Sequence, residues 1–236
     1  MNRLRDYATV TGAYWAFTLT DGALRMLVLL YLNERGYAPL AIASMFLFYE
    51  FFGVVTNLLG GWLGARFGLN LTLFAGLAVQ IVALGMLAVD PAWLTVLYVM
   101  IAQGLSGIAK DLTKMSSKSY IKLVVPEESE GKLMRWVSIL TGSKNTLKGV
   151  GFFLGGALLA LCGFRGAVLG MAGGLVVALA LALTLLPRAS GRVAGVELKA
   201  VLSKDPRINW LSAARFFLFG SRDVWFVLAL PIFLAS

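Results

Sequence analysis

The stretch LTLFAGLAVQIVALGMLAV, residues 71–89, decides the fold class, because it runs for 19 residues without a charge. A helix rises about 1.5 Å per residue, so this length matches the roughly 30 Å hydrocarbon core of a bilayer. The whole chain agrees, with 59% hydrophobic residues and a mean hydropathy of +0.81. These values are typical of an integral membrane protein and exclude a soluble globular domain.

Outward from this stretch, apolar segments of similar length recur along the chain, and we predict seven membrane spans. The fourth and fifth are long and carry polar residues. We expect no cleavable signal peptide, because the first segment is too long and carries Asp21 and Arg25 in its middle. The predicted spans are 8–32, 40–62, 71–89, 92–124, 132–161, 165–187 and 208–234.

The spans divide the chain into two unequal parts. We predict an all-α integral membrane protein with a six-helix bundle at 1–187, a polar, basic cytoplasmic linker at 188–207 and the first helix of an incomplete second bundle at 208–236. The first and seventh spans are weakly alike, since each carries a charged pair in its middle, Asp21 with Arg25 and Arg222 with Asp223. Many secondary transporters repeat a six-helix unit in this way. The chain is then a truncated 12-helix transporter that requires its missing half or a second copy.

The distribution of Lys and Arg predicts the orientation. With the N-terminus inside, the cytoplasmic loops carry ten of these residues and the outer loops carry two, Arg35 and Arg165. By the positive-inside rule the N-terminus is cytoplasmic, in a plasma membrane or a bacterial inner membrane. The net charge of +9 therefore reflects topology and basic residues within spans, and we expect the lipid bilayer, and no nucleic acid, as a partner.

Nine basic residues fall within the predicted spans, against four acidic ones. Lys110, Lys114 and Lys118 are four residues apart, so they line one face of a helix. Charges at membrane depth normally face a water-filled cavity and mark a substrate path. This excess of cations predicts a small polyanionic substrate and disfavours a cationic drug. The candidate substrate-binding residues are Arg25, Lys110, Lys114, Lys118, Lys144 and Lys148.

The acidic residues leave alternatives open. Asp21 lies four residues before Arg25, and we expect this pair to be structural or gating. Glu50 has no obvious partner in its own helix, so it either pairs with a lysine across the bundle or carries a coupled proton. Lys144 could instead extend to the membrane interface. The candidate proton-coupling or gating residues are Asp21, Glu50, Asp111 and Asp223.

Several kinds of chemistry are disfavoured. With one cysteine, Cys162, and no histidine, the chain cannot form an internal disulfide or a metal site of the usual His/Cys kind. We find no nucleophile–base set and no phosphate-binding glycine loop. We therefore expect no metal, no cofactor and no enzymatic activity. Glycines within the spans, among them Gly107, Gly151, Gly155 and Gly173, predict close helix packing.

The turn GGWLGARFGLN, residues 60–70, resembles the cytoplasmic loop motif of the major facilitator superfamily. Gly61, Arg66 and Gly68 match that motif, whereas Ala65 stands where an acidic residue is usual and Asn70 where a basic residue is usual. AQGLSG (102–107), VPEESEG (125–131) and GFFLGG (151–156) fall at the spacing of that superfamily's fourth and fifth helices. The resemblance implies a secondary membrane transporter.

Longer strings resemble a narrower family, the organoarsenical efflux permeases of the ArsJ type. They are AYWAFTLTDGALRMLVLL (13–30), YEFFGVVTNLLGGW (49–62), GLSGIAKDLTKMSSKS (104–119) and TGSKNTLKGVGFFLGG (141–156). This resemblance implies export of 1-arseno-3-phosphoglycerate, which glyceraldehyde-3-phosphate dehydrogenase forms from arsenate. It thereby implies functional coupling to that enzyme and resistance to arsenate.

Three hypotheses remain open. The first is an exporter of this arsenical ester coupled to proton entry, and the second is a transporter of another organophosphate, organic anion or drug. The third is an inactive half-transporter, suggested by the end of the chain one helix into a second bundle. No residue encodes arsenic itself, because arsenate and phosphate esters are alike in shape and charge.

Overall fold

The computed structural model describes residues 3–124, 130–187, 191–192 and 205–223, and within them it contains helices and turns and no strand. This confirms the all-α prediction. A short 3-10 turn, Pro91–Trp93, precedes the fifth helix. The helices are α1 (Arg3–Glu34), α2 (Pro39–Met45), α3 (Leu47–Phe67), α4 (Leu69–Leu87), α5 (Val96–Val124), α6 (Glu130–Leu185) and α7 (Pro206–Asp223).

Helix α6 is broken at Gly163, where φ is 65° and ψ is 176°. A side chain rarely tolerates this conformation, and glycine adopts it without strain. The break separates α6 into a first and a second half. It falls between the predicted fifth and sixth spans, 132–161 and 165–187.

The first half of α6 runs parallel to α1. The ring of Trp136 packs edge-on against Tyr7, near the start of α1, with centroids 5.1 Å apart. Phe164, one residue past the break, stacks on Tyr31 near the end of α1, with centroids 4.0 Å apart. Contacts therefore advance along both helices together.

The second half of α6 returns to the opposite end of the bundle. It is followed by Pro187, whose carbonyl oxygen accepts a hydrogen bond of 2.6 Å from Asn70 Nδ2 at the start of α4. Because α2 and α3 lead away from the end of α1, α4 begins at the bundle end opposite Tyr31. The chain therefore reverses its direction at Gly163.

Helix α5 packs against α1, α3 and α4. It runs parallel to α3, since Gly53 lies against Lys110 and Gly60 lies against Met115. It runs antiparallel to α4, because Gly76 lies against Thr113 while the hydroxyl of Tyr98 donates to the carbonyl of Met86, at 2.9 Å. The bundle therefore has six passes, which are α1, α2 together with α3, α4, α5, and the two halves of α6. The predicted six-helix bundle is confirmed.

Four stretches of the described residues are long and apolar enough to cross a membrane. One of them contains 52 residues, long enough for two passes, and includes the break at Gly163. Helix α5 has 29 residues but is more polar because of its Lys and Asp residues. The four stretches are Arg5–Glu34, Pro39–Phe67, Leu69–Leu87 and Met134–Leu185.

Helix α7 covers the first part of the predicted seventh span. It begins at Pro206, two residues before the predicted start at 208. The rest of that span, 224–234, and most of the predicted linker lie outside the described residues. The division into two bundles and a linker stays a prediction.

Glycine allows close helix contact at some of the predicted positions. A Cβ on Gly151 would lie 2.6 Å from the carbonyl oxygen of Leu19, and one on Gly155 would collide with the carbonyl of Ala23. Close packing at these two glycines agrees with the prediction, and the structure shows that the partner of α6 is α1. Gly173 differs, because a Cβ there would meet nothing within 4 Å.

Candidate functional site in a charged layer at mid-depth

Four helices bring charged residues to one level of the bundle. The backbone of Lys148 on α6 contacts Gly22 on α1, and the backbone of Tyr49 on α3 contacts Gly107 on α5. Each of these positions lies near the middle of its pass. The resulting charged layer comprises Asp21, Arg25, Tyr49, Glu50, Lys110, Asp111 and Lys148.

Glu50 joins two cations from different helices. Its Oε1 lies 2.8 Å from Arg25 Nη2 on α1, and its Oε2 lies 3.5 Å from Lys110 Nζ on α5. The three side chains remain 19%, 36% and 22% exposed for Arg25, Glu50 and Lys110. The network therefore lies on an accessible face and not in a sealed core.

Tyr49 occupies the centre of this network. Its ring centroid is 3.9 Å from Arg25 Cζ and 4.0 Å from Lys110 Nζ, and its hydroxyl donates to Asp21 Oδ1 at 2.6 Å. Cations are attracted to the electron-rich face of an aromatic ring. The sequence analysis missed Tyr49, although a tyrosine beside a glutamate in an apolar helix was a signal for it.

Asp21 and Arg25 do not form a direct ion pair within 4 Å, and their predicted structural or gating role stays a prediction. Within the described part of the chain, Arg25 forms an ion pair only with Glu50, and Asp21 accepts its hydrogen bond from Tyr49. The spacing puts both residues on one side of α1, but the long side chain of Arg25 reaches across to α3. Of the two alternatives for Glu50, the pair with a lysine across the bundle is formed, and its proton role stays a prediction.

Asp111 pairs with two lysines of its own helix. Lys114 Nζ lies 2.7 Å from Asp111 Oδ1, and Lys110 Nζ lies 3.8 Å from Asp111 Oδ2. Lys114 also donates to Asn57 Oδ1 on α3 at 3.4 Å. Asp111 is 3% exposed, so part of the predicted cationic face is compensated by a buried carboxylate.

Lys144 and Lys148 on α6 differ from these cations. Both are partly buried, and neither has a carboxylate within 4 Å among the residues that the structure describes. Lys144 is within electrostatic range of Lys114 and Lys118, Lys148 is within range of Arg25, and both are within range of the carboxylate of Asp21. The structure thus brings all six predicted substrate-binding cations close to three carboxylates. The two cations on α6 are those without a carboxylate within 4 Å in the described part of the chain.

A direct hydrogen bond fixes the helix segment that carries Lys144. Trp15 Nε1 on α1 donates to Ser143 Oγ at 3.0 Å. Together with the glycine contacts at Gly151 and Gly155, this bond sets the height of α6 against α1. The depth of Lys144 and Lys148 is therefore determined by packing outside the charged network.

The predicted loop motif forms the turn between α3 and α4. Gly68 has a φ of 97° and separates the two helices. The guanidinium of Arg66 lies 5.1 Å from the ring centroid of Trp62 and 5.7 Å from that of Phe67. Gly61 is exposed, and a Cβ there would meet nothing within 4 Å.

The last predicted carboxylate, Asp223, ends α7. Its side chain and that of Arg222 lie outside the described residues, so the structure does not relate them to the charged layer.

Two surface depressions, of about 380 and 320 Å³, lie at the bundle end near Tyr31. Arg35 and Tyr37 line the first, and Glu34 and Gly163 line the second. Neither includes a residue of the charged layer. The candidate site is therefore the open face of the layer.

The family model described as Major Facilitator Superfamily matches residues 10–236. The chain belongs to this superfamily. This superfamily consists of secondary membrane transporters, so the match favours a transporter over an enzyme. No curated protein sequence matches the chain.

Two solved transporters show the same fold. A POT family transporter in complex with 5-aminolevulinic acid is similar with a TM-score of 0.67 and 14% identity, over 94% of this chain and 47% of that one. A mutant peptide transporter POT in complex with sulfate is similar with a TM-score of 0.61 and 15% identity, over 96% of this chain and 46% of that one. The chain thus spans about half the length of these transporters.

Proposed function

We propose that this chain supplies the anion-binding bundle of a secondary transporter that exports an organic polyanion, specifically the ester 1-arseno-3-phosphoglycerate. The observation that carries the proposal is the surplus of cations in and beside the charged layer, six against the three carboxylates Asp21, Glu50 and Asp111. Lys144 and Lys148 have no carboxylate within 4 Å in the described part of the chain. Transporters of this type bind substrate near the bilayer midplane, where two bundles face each other. The charged layer lies about midway along the helices, which is consistent with such a site.

The cations extend from the layer toward one end of the bundle. Lys114 and Lys118 follow Lys110 on α5, and Lys144 precedes Lys148 on α6, all toward the end that holds the α3–α4 turn. Eight residues from Lys110 to Lys118 correspond to about 12 Å along a helix. If this end faces the cytoplasm, an anion entering from there meets successive lysines before it reaches Arg25.

In this proposal the two kinds of cation act differently on the cargo. Lys144 and Lys148 attract the phosphate or arsenate group as point charges, whereas Arg25 can donate two parallel hydrogen bonds. Arg25 and Lys110 are held by Glu50 until the anion competes for them. The carboxylates Asp21, Glu50 and Asp111 are the candidates in this bundle for proton coupling or gating.

The driving force has two separable parts. An interior-negative membrane potential already favours the exit of an anion, by about 2.3 kcal/mol per charge per 100 mV. The proposal adds proton entry as the opposite movement. Collapse of the potential and collapse of the pH gradient, in separate samples, measure the two parts independently.

The first test is arsenic accumulation in everted membrane vesicles that contain this chain. Arsenate is supplied with or without glyceraldehyde-3-phosphate, its dehydrogenase and NAD, and we expect uptake only with the complete mixture. If vesicles with this chain fail while a version with a second bundle succeeds, activity requires that bundle. If both fail, the arsenical assignment is wrong.

Transport of another organophosphate is the second candidate, because the same cations suit a phosphate ester. Excess 3-phosphoglycerate in the vesicle assay distinguishes the two. Strong competition together with uptake of labelled 3-phosphoglycerate favours a general organophosphate transporter. Uptake of arsenic without such competition favours the arsenical ester.

A further inference from the structure

The chain contains only two glutamines, Gln80 and Gln103, and both are completely buried in the bundle. Neither their Nε2 nor their Oε1 atoms have a hydrogen-bond partner among the described residues. The same holds for the Oγ of Ser106, which is also 0% exposed. We refer to these three residues as the uncharged polar cluster, and the proposed transport function does not use them.

The register of α4 against α5 places the three residues together. Gly76 on α4 contacts the carbonyl of Ala109 and the backbone N of Thr113. Because the helices are antiparallel, Gln80, one turn further along α4, is level with Ser106 on α5. Gln103 lies three residues before Ser106, and positions three apart on a helix are neighbours.

The cluster adjoins the charged layer on the side away from the lysines. Ser106 and Gln103 lie four and seven residues before Lys110, so they are roughly one and two turns away along α5. Lys110 in turn pairs with Glu50. Polar side chains therefore continue through the interior past the last charged residue.

Protein groups near the cluster offer no obvious partners. The backbone groups in the middle of α4 and α5 are bonded within their helices. The residues three before and four after Gln80 on its helix are Leu77 and Leu84, both 0% exposed and unable to hydrogen-bond. Buried polar atoms are normally satisfied, by protein or by ordered water. Two amides and a hydroxyl offer both donors and acceptors, as an internal water site requires.

We propose that Gln80, Gln103 and Ser106 bind a cluster of internal water molecules between α4 and α5. This hydration site extends from the neighbourhood of Lys110 toward the bundle end near Tyr31. It provides water contact to the charged layer from the side opposite to the proposed entry of the cargo.

The test is X-ray radiolytic labelling of the full chain in lipid nanodiscs, in ¹⁸O-enriched water, with mass spectrometry. Hydroxyl radicals formed at an internal water oxidise adjacent side chains that bulk solvent cannot reach. We expect oxidation of Leu77 and Leu84 at least about fivefold above that of Leu140, which is 1% exposed and lies toward the opposite bundle end. Equal labelling of the three leucines overturns the proposal.

A variant provides the second measurement. In the double variant Gln80→Leu and Gln103→Leu, we expect labelling of Leu77 and Leu84 to fall to the level of Leu140. Unchanged labelling contradicts the assignment of the site to these residues. If the double variant does not fold, the labelling of Leu77 and Leu84 relative to Leu140 in the unmodified chain still tests for internal water. This test does not depend on transport activity.

Discussion

Two groups of basic side chains share one level of this bundle but have different neighbours. Arg25, Lys110 and Lys114 on α1 and α5 each lie within 4 Å of Glu50 or Asp111. Lys144 and Lys148 on α6 have no carboxylate at that distance in the described part of the chain. Cations close together in the bundle therefore differ in their partners, since the first group is held in ion pairs and the second is not, and a ligand-binding role for the second group stays a prediction.

Different effects on stability distinguish the two groups. Removing one partner of a poorly solvated ion pair leaves an uncompensated charge and destabilises the fold. Removing a cation that has no carboxylate within 4 Å breaks no direct ion pair, so we expect a smaller penalty. The two groups are therefore separable by measuring stability and transport on the same variants.

The largest expected effect is loss of stability in Glu50→Gln. Arg25 and Lys110 would lose their shared carboxylate in a partly buried layer. We expect a loss of up to about 3 kcal/mol, the low end for buried pairs, because Glu50 is 36% exposed. Thermal unfolding in detergent measures it, with Glu34→Gln at the exposed end of α1 as the control. Equal stability of the two variants would contradict the structural role of Glu50.

The second expected effect is a loss of transport without a loss of stability in Lys148→Gln. The side chain is nearly unchanged in length, but one ligand-binding charge is removed. We expect anion uptake to fall about tenfold, equivalent to about 1.4 kcal/mol, at an unchanged or higher unfolding temperature. Lys122→Gln, at the exposed end of α5, should retain uptake. Normal uptake by the Lys148 variant would remove this residue from the site.

The third prediction concerns Tyr49→Phe, which keeps the aromatic ring between two cations but removes the hydrogen bond to Asp21. Asp21 is 4% exposed, so the carboxylate would lose a charge-assisted bond that water replaces poorly. We expect destabilisation of about 1.5–2 kcal/mol, measured as a shift in thermal unfolding. Tyr37→Phe serves as the control, with no expected shift. A shift of the same size in both would show that the bond to Asp21 contributes nothing specific.

The smallest expected effect comes from a matched pair of glycines on α6. Gly155→Ala would force α6 away from Ala23 on α1 and thereby displace Lys148, whereas Gly173→Ala meets open space. We expect the first to lose about 1 kcal/mol of stability and part of its uptake. The second should be neutral or slightly stabilised, since alanine favours helix more than glycine does. Equal stability and equal uptake in the two variants would show that close packing at Gly155 does not determine the position of Lys148.

The sequence was sufficient to predict the bundle because every pass except the more polar α5 is a long apolar segment, and in hydrocarbon an apolar segment has few alternatives to a helix. It also placed the reversal near Gly163 between two spans. The partners of the charges were harder to predict. Helical spacing shows which residues share a face of one helix, but the pairing of Arg25 with Glu50 depends on how far α1 lies from α3.

The same limit explains the missed residues. Tyr49 and Asn57 contribute to the network only because glycines at positions such as 53 and 107 bring α3 and α5 into contact. A single sequence shows that these glycines are present but not which helices they join. The roles of the site residues stay predictions until the variants are measured.

Asn70 attaches the α3–α4 turn to the end of α6 through a hydrogen bond between neutral groups, where charged residues would form an ion pair. Its amide occupies a position where the major facilitator loop motif usually has a basic residue. It donates a hydrogen bond to the carbonyl oxygen of Pro187, just after the second half of α6. Dissolved salt screens attraction between exposed charges but has little effect on a hydrogen bond between neutral groups. The attachment of this turn to the last pass of the bundle will therefore be insensitive to the ionic strength of the solution that bathes it.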